Sequence, residues 1–244
     1  MYLKNIEINR PVLEDKIDIL ERRLARFDKT KKYLLSFSCG KDSEVLFHFA
    51  KTAGLNIIPV HYFIIPDLSY NEEILLWFEN QYGIKINRIE SAIYTKAKQA
   101  DLLCINKIWD IKATKMNPFK RNEKLSHELF GYDYNLVGIK KADSPNRAIN
   151  ISAQGWFQEG SKKIYPLFDW SDRDVWSAIK HLDLPINKCY EWFGRSLDVL
   201  NLHHLYPLKQ YVPDDYKKFC REFPLIEPMV WLYEKRMKEE NKNG

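Results

Sequence analysis

Tyr33-Leu34-Leu35-Ser36-Phe37-Ser38-Cys39-Gly40-Lys41-Asp42-Ser43, running on through Val45, Leu46, Phe49 and Ala50 to Gly54, is the stretch whose reading decides the fold. Tyr33 to Phe37 reads as a short buried strand and Ser38 to Ser43 as a polar turn. The apolar positions that follow read as a helix stopped at Gly54. A turn placed there aims backbone N–H groups outward at a helix N-terminus, where the dipole adds roughly half a positive charge, so it makes an anion site. Gly40 lets the backbone approach an anion closely, Ser38 and Ser43 carry hydroxyls to donate, and Lys41 supplies a point charge. Asp42 is the odd member, since a carboxylate repels phosphate. Its useful roles are holding a divalent cation, Mg²⁺, or bracing the loop by accepting N–H bonds. An ordinary N-cap would also explain a Ser or Asp at a helix start. The segment is not the G-x-x-x-x-G-K-[ST] phosphate loop.

Working outward, Pro11 opens a helix whose Leu13, Ile17, Leu20, Leu24 and Phe27 recur at helical spacing. Its Arg22, Arg23 and Arg26 read as a solvated face. On the other side, Leu55 to Ile64 reads as a second strand, broken by Pro66-Asp67-Leu68-Ser69. Asn71 to Tyr82 reads as a helix closed by Gly83, and Ile84 to Ile89 as a third strand. This β-α-β-α-β alternation demands a parallel sheet with right-handed crossovers. Leu102 to Ile105 reads as helical and Lys112 to Lys124, which holds Asn117-Pro118, as a basic loop. Tyr134 to Ile139 and Lys163 to Leu167 are further strands. Ser171 caps a helix from Asp172 to Leu182 with Asp174 as the capping carboxylate. Beyond Pro185 the pattern is mostly helical. The expected organisation is an N-terminal helix over 1–30, an α/β domain over 31–184 and a helical appendix over 185–244.

Composition narrows the function classes. Of 244 residues, 45% are hydrophobic and 29% charged, which excludes a disordered, collagenous or coiled-coil chain. No apolar run approaches the roughly 20 residues of a membrane span, and Met1-Tyr2-Leu3-Lys4 starts no signal peptide, so no membrane contact is expected. Cys39, Cys104, Cys189 and Cys220 are widely spaced with no C-x-x-C pair. That argues against disulfides, a four-cysteine zinc site or an iron–sulfur cluster, and for a reduced, cytoplasmic setting. The net charge of +5 suits anionic small molecules.

Three motifs taken together resemble the phosphoadenosine phosphosulfate (PAPS) reductase family of the PP-loop, adenine-nucleotide α-hydrolase-like superfamily. Ser36-Phe37-Ser38-Cys39-Gly40-Lys41-Asp42-Ser43 is similar to its S-x-G-x-D-S pyrophosphate loop. Gly138-Ile139-Lys140-Lys141-Ala142-Asp143-Ser144-Pro145-Asn146-Arg147-Ala148 resembles G-[IL]-R-R-x-E-S-x-x-R-A, and Pro166-Leu167-Phe168-Asp169-Trp170-Ser171-Asp172-Arg173-Asp174-Val175-Trp176 resembles P-L-x-D-W-[ST]-x-x-D-V-W. The resemblance implies a five-stranded parallel sheet with helices on both faces and an adenine nucleotide, ATP or PAPS, across its carboxyl ends. Tyr62 and Phe63 would then lie near the adenine, with Gly138 at a neighbouring strand end. From the residues themselves, Ser144 is an N-cap and Pro145 a first helical residue. Lys140, Lys141 and Arg147 follow directly on a strand and could face the anionic end of a ligand, although surface ion pairing explains the lysines equally well. Trp170, Val175, Trp176 and Ile179 have the spacing of a buried helix face and read as structure, clamping the helical appendix to the sheet.

The chain departs from the family where reductases carry their nucleophile. The E-C-G-x-H segment is missing; Cys220 lies in Phe219-Cys220-Arg221-Glu222 and reads as a small buried hydrophobe. The D-T-G after the second strand is replaced by Phe63-Ile64-Ile65-Pro66-Asp67, with Asp67 the candidate to stand in for the carboxylate at a shifted position. Cys39 falls on a variable position of the loop, at a helix N-terminus that lowers thiol pKa values. The basic stretch over 107–124 interleaves Trp109 and Phe119, so it reads as a solvated loop or as a surface for a protein or nucleic-acid partner. Three functions follow: an enzyme that cleaves ATP between the α- and β-phosphates to adenylate a substrate, with Lys41, Asp42 and Arg147 at the reacting phosphates and Mg²⁺ at Asp42; a PAPS reductase using external thiols; or a non-catalytic nucleotide-binding regulatory subunit.

Overall fold

A computed structural model of the chain describes residues 8–99, 117–196 and 202–243. Those residues divide into two compact units. The first comprises the described residues up to Tyr62, with Glu73–Ile89 and Glu123–Asn187. The second comprises Phe63–Glu72, the described residues of 90–122, and the described residues from Lys188 on.

The first unit is built on a sheet. Strand β1 (Lys32–Ser36) buries Tyr33, Leu34 and Leu35 in succession, the continuous apolar run expected of a strand covered on both faces. It pairs in parallel with β2 (Asn56–Phe63) on one side and β4 (Tyr134–Leu136) on the other. Strand β3 (Asn87–Glu90) lies beyond β2, and β6 (Lys163–Ile164) pairs in parallel with β4. A sixth, two-residue strand, β5 (Phe157–Gln158), runs antiparallel to β6. The order among the described residues is β3-β2-β1-β4-β6-β5. The chain winds outward from β1 to β3, then returns to the other side of β1, so the topological switch falls between β1 and β4.

Helix α1 (Arg10–Ala25) starts with Pro11 in its first turn and buries Leu13, Leu20 and Leu24. Helix α2 (Lys41–Thr52) follows β1 and buries Val45, Leu46, Phe47, Phe49 and Ala50. Helix α3 (Ser69–Tyr82) brings Phe78 and Tyr82 against Phe47, with centroids 5.0 and 5.4 Å away, and Phe37 lies 4.9 Å from Phe78. This aromatic cluster fixes where β1 hands over to the loop. Helix α4 (Ala92–Gln99) precedes residues 100–116, so the helical reading of Leu102 to Ile105 lies outside the described residues.

The basic stretch corrects one expectation. From Pro118 it is not a loop but helix α5 (Pro118–Phe130), with Lys120, Arg121 and Lys124 on it. Asn117 Oδ1 accepts the Phe119 N–H at 2.9 Å, and Pro118 takes the first helical position, where its missing N–H costs nothing. Asn117-Pro118, a loop signal in the sequence, is a helix start. Helices α6 (Pro145–Gln154) and α7 (Asp172–His181) complete the first unit. The expected cap of α7 is present: Ser171 Oγ accepts from the Asp174 N–H at 3.2 Å, and Asp174 Oδ2 accepts from the Ser171 N–H at 2.7 Å.

Arg23 is a second correction. It is not on a solvated face: its side chain is 10% exposed, and its guanidinium carbon lies 4.6 Å from the Phe168 ring centroid and 5.2 Å from that of Trp156. Both terminal nitrogens donate to Asp169, at 3.1 and 2.8 Å. Burial would raise the Asp169 carboxyl, but the Arg23 hydrogen bonds and charge outweigh it and hold it below the usual range. Within this unit the Asp169-Trp170 motif therefore fastens α1, while Trp170 meets Phe49 of α2 edge-on at 6.2 Å.

The second unit is helical. It holds α4, α8 (Cys189–Phe193), α9 (Leu202–Tyr211), α10 (Pro213–Glu222) and α11 (Ile226–Asn243), packed on Leu205, Leu208, Tyr216, Phe219, Phe223 and Val230. Buried Asp215 accepts from the Ser69 N–H and hydroxyl at 2.8 and 2.7 Å, capping the start of α3. No described helix is long and apolar enough to cross a membrane.

Candidate functional site

Phe37 N–H still donates to Val60 O at 2.8 Å, extending the β1 ladder by one bond before the chain turns. Cys39 then takes φ +56°, the left-handed region that disfavours a side chain. Its thiol is driven inward and fully buried, 3.7 Å from His61 Nδ1. The same Nδ1 lies 2.9 Å from the Phe37 carbonyl oxygen, which can only accept, so Nδ1 carries the proton. Gly40 is the N-cap of α2 and offers no side chain to its first-turn amides. The Ser43 hydroxyl instead knots the loop: it donates to Gly40 O at 2.8 Å and accepts from the N–H groups of Ser38 and Gly40 at 3.2 and 3.3 Å. Ser38 Oγ reaches it at 3.1 Å.

On the far side of the switch point, β4 ends and Gly138 passes against the loop. A Cβ added at Gly138 would stand 3.2 Å from the Asp42 carbonyl oxygen. That approach delivers Lys140, whose side chain is 0% exposed, to the acidic side of the loop. Lys140 Nζ bonds Asp42 Oδ1 and lies 2.8 Å from Asp143 Oδ1 and 3.3 Å from Asp172 Oδ1. Lys41 Nζ bonds Asp42 Oδ2 at 2.8 Å and Asp172 Oδ1 at 2.9 Å. Arg147 continues the chain of charges through Asp143 Oδ2 at 2.9 Å. Burial would lower the Lys41 ammonium, but Asp42 and Asp172 outweigh it and raise it. Burial would raise the Asp143 and Asp172 carboxyls; the lysines prevail and hold both below the usual range.

The structure thus brings Ser38, Gly40, Lys41, Asp42, Ser43, Gly138 and Lys140 together around the end of β1, with Ser36 as the last residue of that strand. The other expected residues stand apart. Arg147 is bonded to Asp143 rather than to the loop. Ser144 caps α6 by accepting the Arg147 N–H at 3.3 Å. Lys141 points its ammonium over the Phe168 ring, 5.5 Å from the centroid. Tyr62 hydrogen-bonds Ser126 Oγ at 2.6 Å, and Phe63 ends β2 with its N–H···O partner Ser91 on its carbonyl at 2.8 Å. Sequence reading missed Asp172. An acid in the first turn of a helix is already explained by the macrodipole, so nothing local marked it. Cys220 is no activated thiolate: burial raises its pKa, against a smaller opposing hydrogen bond with Tyr216.

An open, mostly parallel α/β sheet with this loop at its switch point defines a protein of the PP-loop class. The model of the phosphoadenosine phosphosulfate reductase domain matches residues 32–197, and the chain belongs to that family. It is 30% identical over 192 residues to an uncharacterised protein of Methanocaldococcus jannaschii, an alignment covering 73% of this chain but 38% of that relative. Among solved structures, the U34-tRNA thiolase NcsA of Methanococcus maripaludis with its [4Fe-4S] cluster is similar at TM-score 0.50 and 17% identity, over 89% of this chain and 81% of that one. The FMN adenylyltransferase of Candida glabrata, in complex with FMN and the ATP analogue AMPCPP, is similar at TM-score 0.52 and 13% identity, over 82% and 67%.

These findings correct the expected absence of an iron–sulfur cluster, which stands beside ATP or PAPS, Mg²⁺ and no zinc in the expected cofactor set. The tRNA thiolase, a protein of this fold, carries a [4Fe-4S] cluster, so the fold itself accommodates one. Asp42, expected at Mg²⁺, is instead engaged by the ammoniums of Lys41 and Lys140. No group of three or more His, Cys, Asp or Glu among the described residues is arranged to hold a metal ion.

Proposed function

We propose that this chain binds an adenine nucleotide with its phosphates at the Ser38–Ser43 loop and uses ATP to adenylate an acceptor. The observation that carries the reading is the convergence of Lys41 and Lys140 beside a helix N-terminus at the switch point. The match to the PAPS reductase domain and the ATP analogue in a protein of the same fold support it. In the reaction, an acceptor nucleophile bonds to the α-phosphorus as the bond to the β-phosphate oxygen breaks, and pyrophosphate leaves with the electron pair. The two ammoniums would offset the charge developing on that oxygen, and Arg147 would join them by turning from Asp143. Asp42 would brace both lysines. Lys141, Ser144 and Tyr62 would play lesser parts in nucleotide binding. The acceptor would belong to sulfur transfer or nucleic-acid modification, in a reducing cytoplasm. Reduction of PAPS is the weaker reading, because Cys220 is not activated.

Calorimetric titration with ATP should give saturable binding that Lys41→Met and Lys140→Met abolish, with the fold retained by circular dichroism. Undiminished ATP binding by a folded Lys41→Met variant would refute the assignment.

A further inference from the structure

The charges around the loop are balanced. Lys41, Lys140 and Arg147 face Asp42, Asp143 and Asp172, each cation within salt-bridge distance of at least one carboxylate. A polyanion entering such a cluster gains little net attraction until a carboxylate gives way.

The three carboxylates are not equally free to do so. Asp42 is pressed against Gly138 through its own backbone. Asp143 is held by the Lys140 N–H at 2.9 Å as well as by the Lys140 and Arg147 side chains. Asp172 differs from both: its side chain is 68% exposed, it sits in the first turn of α7, and its contacts in the cluster are to Lys41 and Lys140 through the single oxygen Oδ1. That oxygen is 2.9 Å from one ammonium and 3.3 Å from the other, the bridging geometry a phosphate oxygen would take between two lysines. A solvated carboxylate on a helix end can turn to water at little cost.

We propose that Asp172 is a competing anion built into the site: its carboxylate and a ligand's phosphate oxygen contend for the same two ammoniums, so that Asp172 sets the affinity for polyphosphate. This rests on the reading of the loop as a phosphate site. While it holds Lys41 and Lys140, Asp172 keeps two closely placed like charges paired. When it yields, each ammonium keeps its bond to Asp42 but turns one donor toward the vacated position, and the two donors open together, which favours a ligand with several anionic oxygens over one with a single oxygen.

The test is calorimetric titration of the full chain with ATP and with inorganic pyrophosphate at fixed ionic strength, for wild type, Asp172→Asn and Asp174→Asn. Asp174 lies two residues along the same helix end and pairs with Ser171 and Lys16, so its variant removes the same charge without touching Lys41 or Lys140. Asp172→Asn should tighten both ligands by about fivefold, the scale of one partly exposed ion-pair contact, while Asp174→Asn changes them by less than about twofold. Equal tightening in the two variants would show a long-range charge effect and overturn the inference. Unchanged or weaker binding in Asp172→Asn, with wild type binding normally, would overturn it and leave the nucleotide reading standing. No binding of either ligand by any of the three proteins would overturn both.

Discussion

Gly138 and Asp42 are in backbone contact: a Cβ at residue 138 would lie 3.2 Å from the Asp42 carbonyl oxygen, 3.3 Å from its carbonyl carbon and 3.5 Å from its Cβ. The neighbour is main chain, not the mobile tip of a side chain, so the loop itself would have to give. Gly138→Ala should displace Asp42 by a few tenths of an ångström and lower ATP affinity roughly tenfold, at a stability cost of only about 1–2 kcal/mol. Titration beside urea denaturation measures both. An alanine variant with wild-type affinity would show that the two segments move independently.

Lys140 reaches all three of Asp42, Asp143 and Asp172. Lys140→Met keeps the length of the buried stem but removes the charge, leaving Asp42 and Asp172 to share Lys41 and Asp143 to Arg147 alone. Breaking a fully buried pair costs about 3–5 kcal/mol; because these carboxylates are partly exposed, urea denaturation should show a loss of about 2–3 kcal/mol near neutral pH. The loss should shrink in acid, where Asp143 and Asp172 take up protons. Their folded-state pKa values are depressed, so the stability they contribute is present above the ordinary carboxyl value of 3.8 and disappears as pH falls through their folded values.

Glu44 points the other way. It is 1% exposed, and neither of its carboxyl oxygens has a hydrogen-bond partner among the described residues. Burial, aided by the charge of Asp42, pushes its pKa from 4.5 up to about 8. Between those values the folded state holds a proton the unfolded chain has lost, so stability falls as pH rises through this window. A displacement of that size corresponds to on the order of 5 kcal/mol at full ionisation. Glu44→Met should flatten the fall in melting temperature between about pH 5 and pH 9 and stabilise the protein most at the alkaline end. Parallel melting curves for the two proteins across that range would contradict the buried-acid account.

Arg23 should be worth more than a surface arginine. Arg23→Ala removes a bidentate contact with Asp169 and stacking on Phe168 and Trp156, at a cost of about 2–3 kcal/mol. Arg23→Lys should recover less than half of it, because an ammonium cannot form the fork or the stack. Denaturation of the two variants decides the point; full rescue by lysine would reduce the contact to simple charge.

The sequence by itself determined the strand–turn–helix at Tyr33 to Gly54, the β-α alternation, the Ser171–Asp174 cap and the family, because periodicity, capping and motif spacing are written in residues near one another in the chain. It misjudged Asn117-Pro118, where one dipeptide serves a break and a helix start equally well. Only the tertiary structure decided which charges meet: Lys140 stands 98 residues from Asp42, and Asp172 stands 131 from Lys41. Nothing local distinguishes an aspartate that complements a helix dipole from one that also holds two lysines. That difference arises when strand ends separated in sequence are set side by side at the switch between β1 and β4, and burial then makes each pairing consequential.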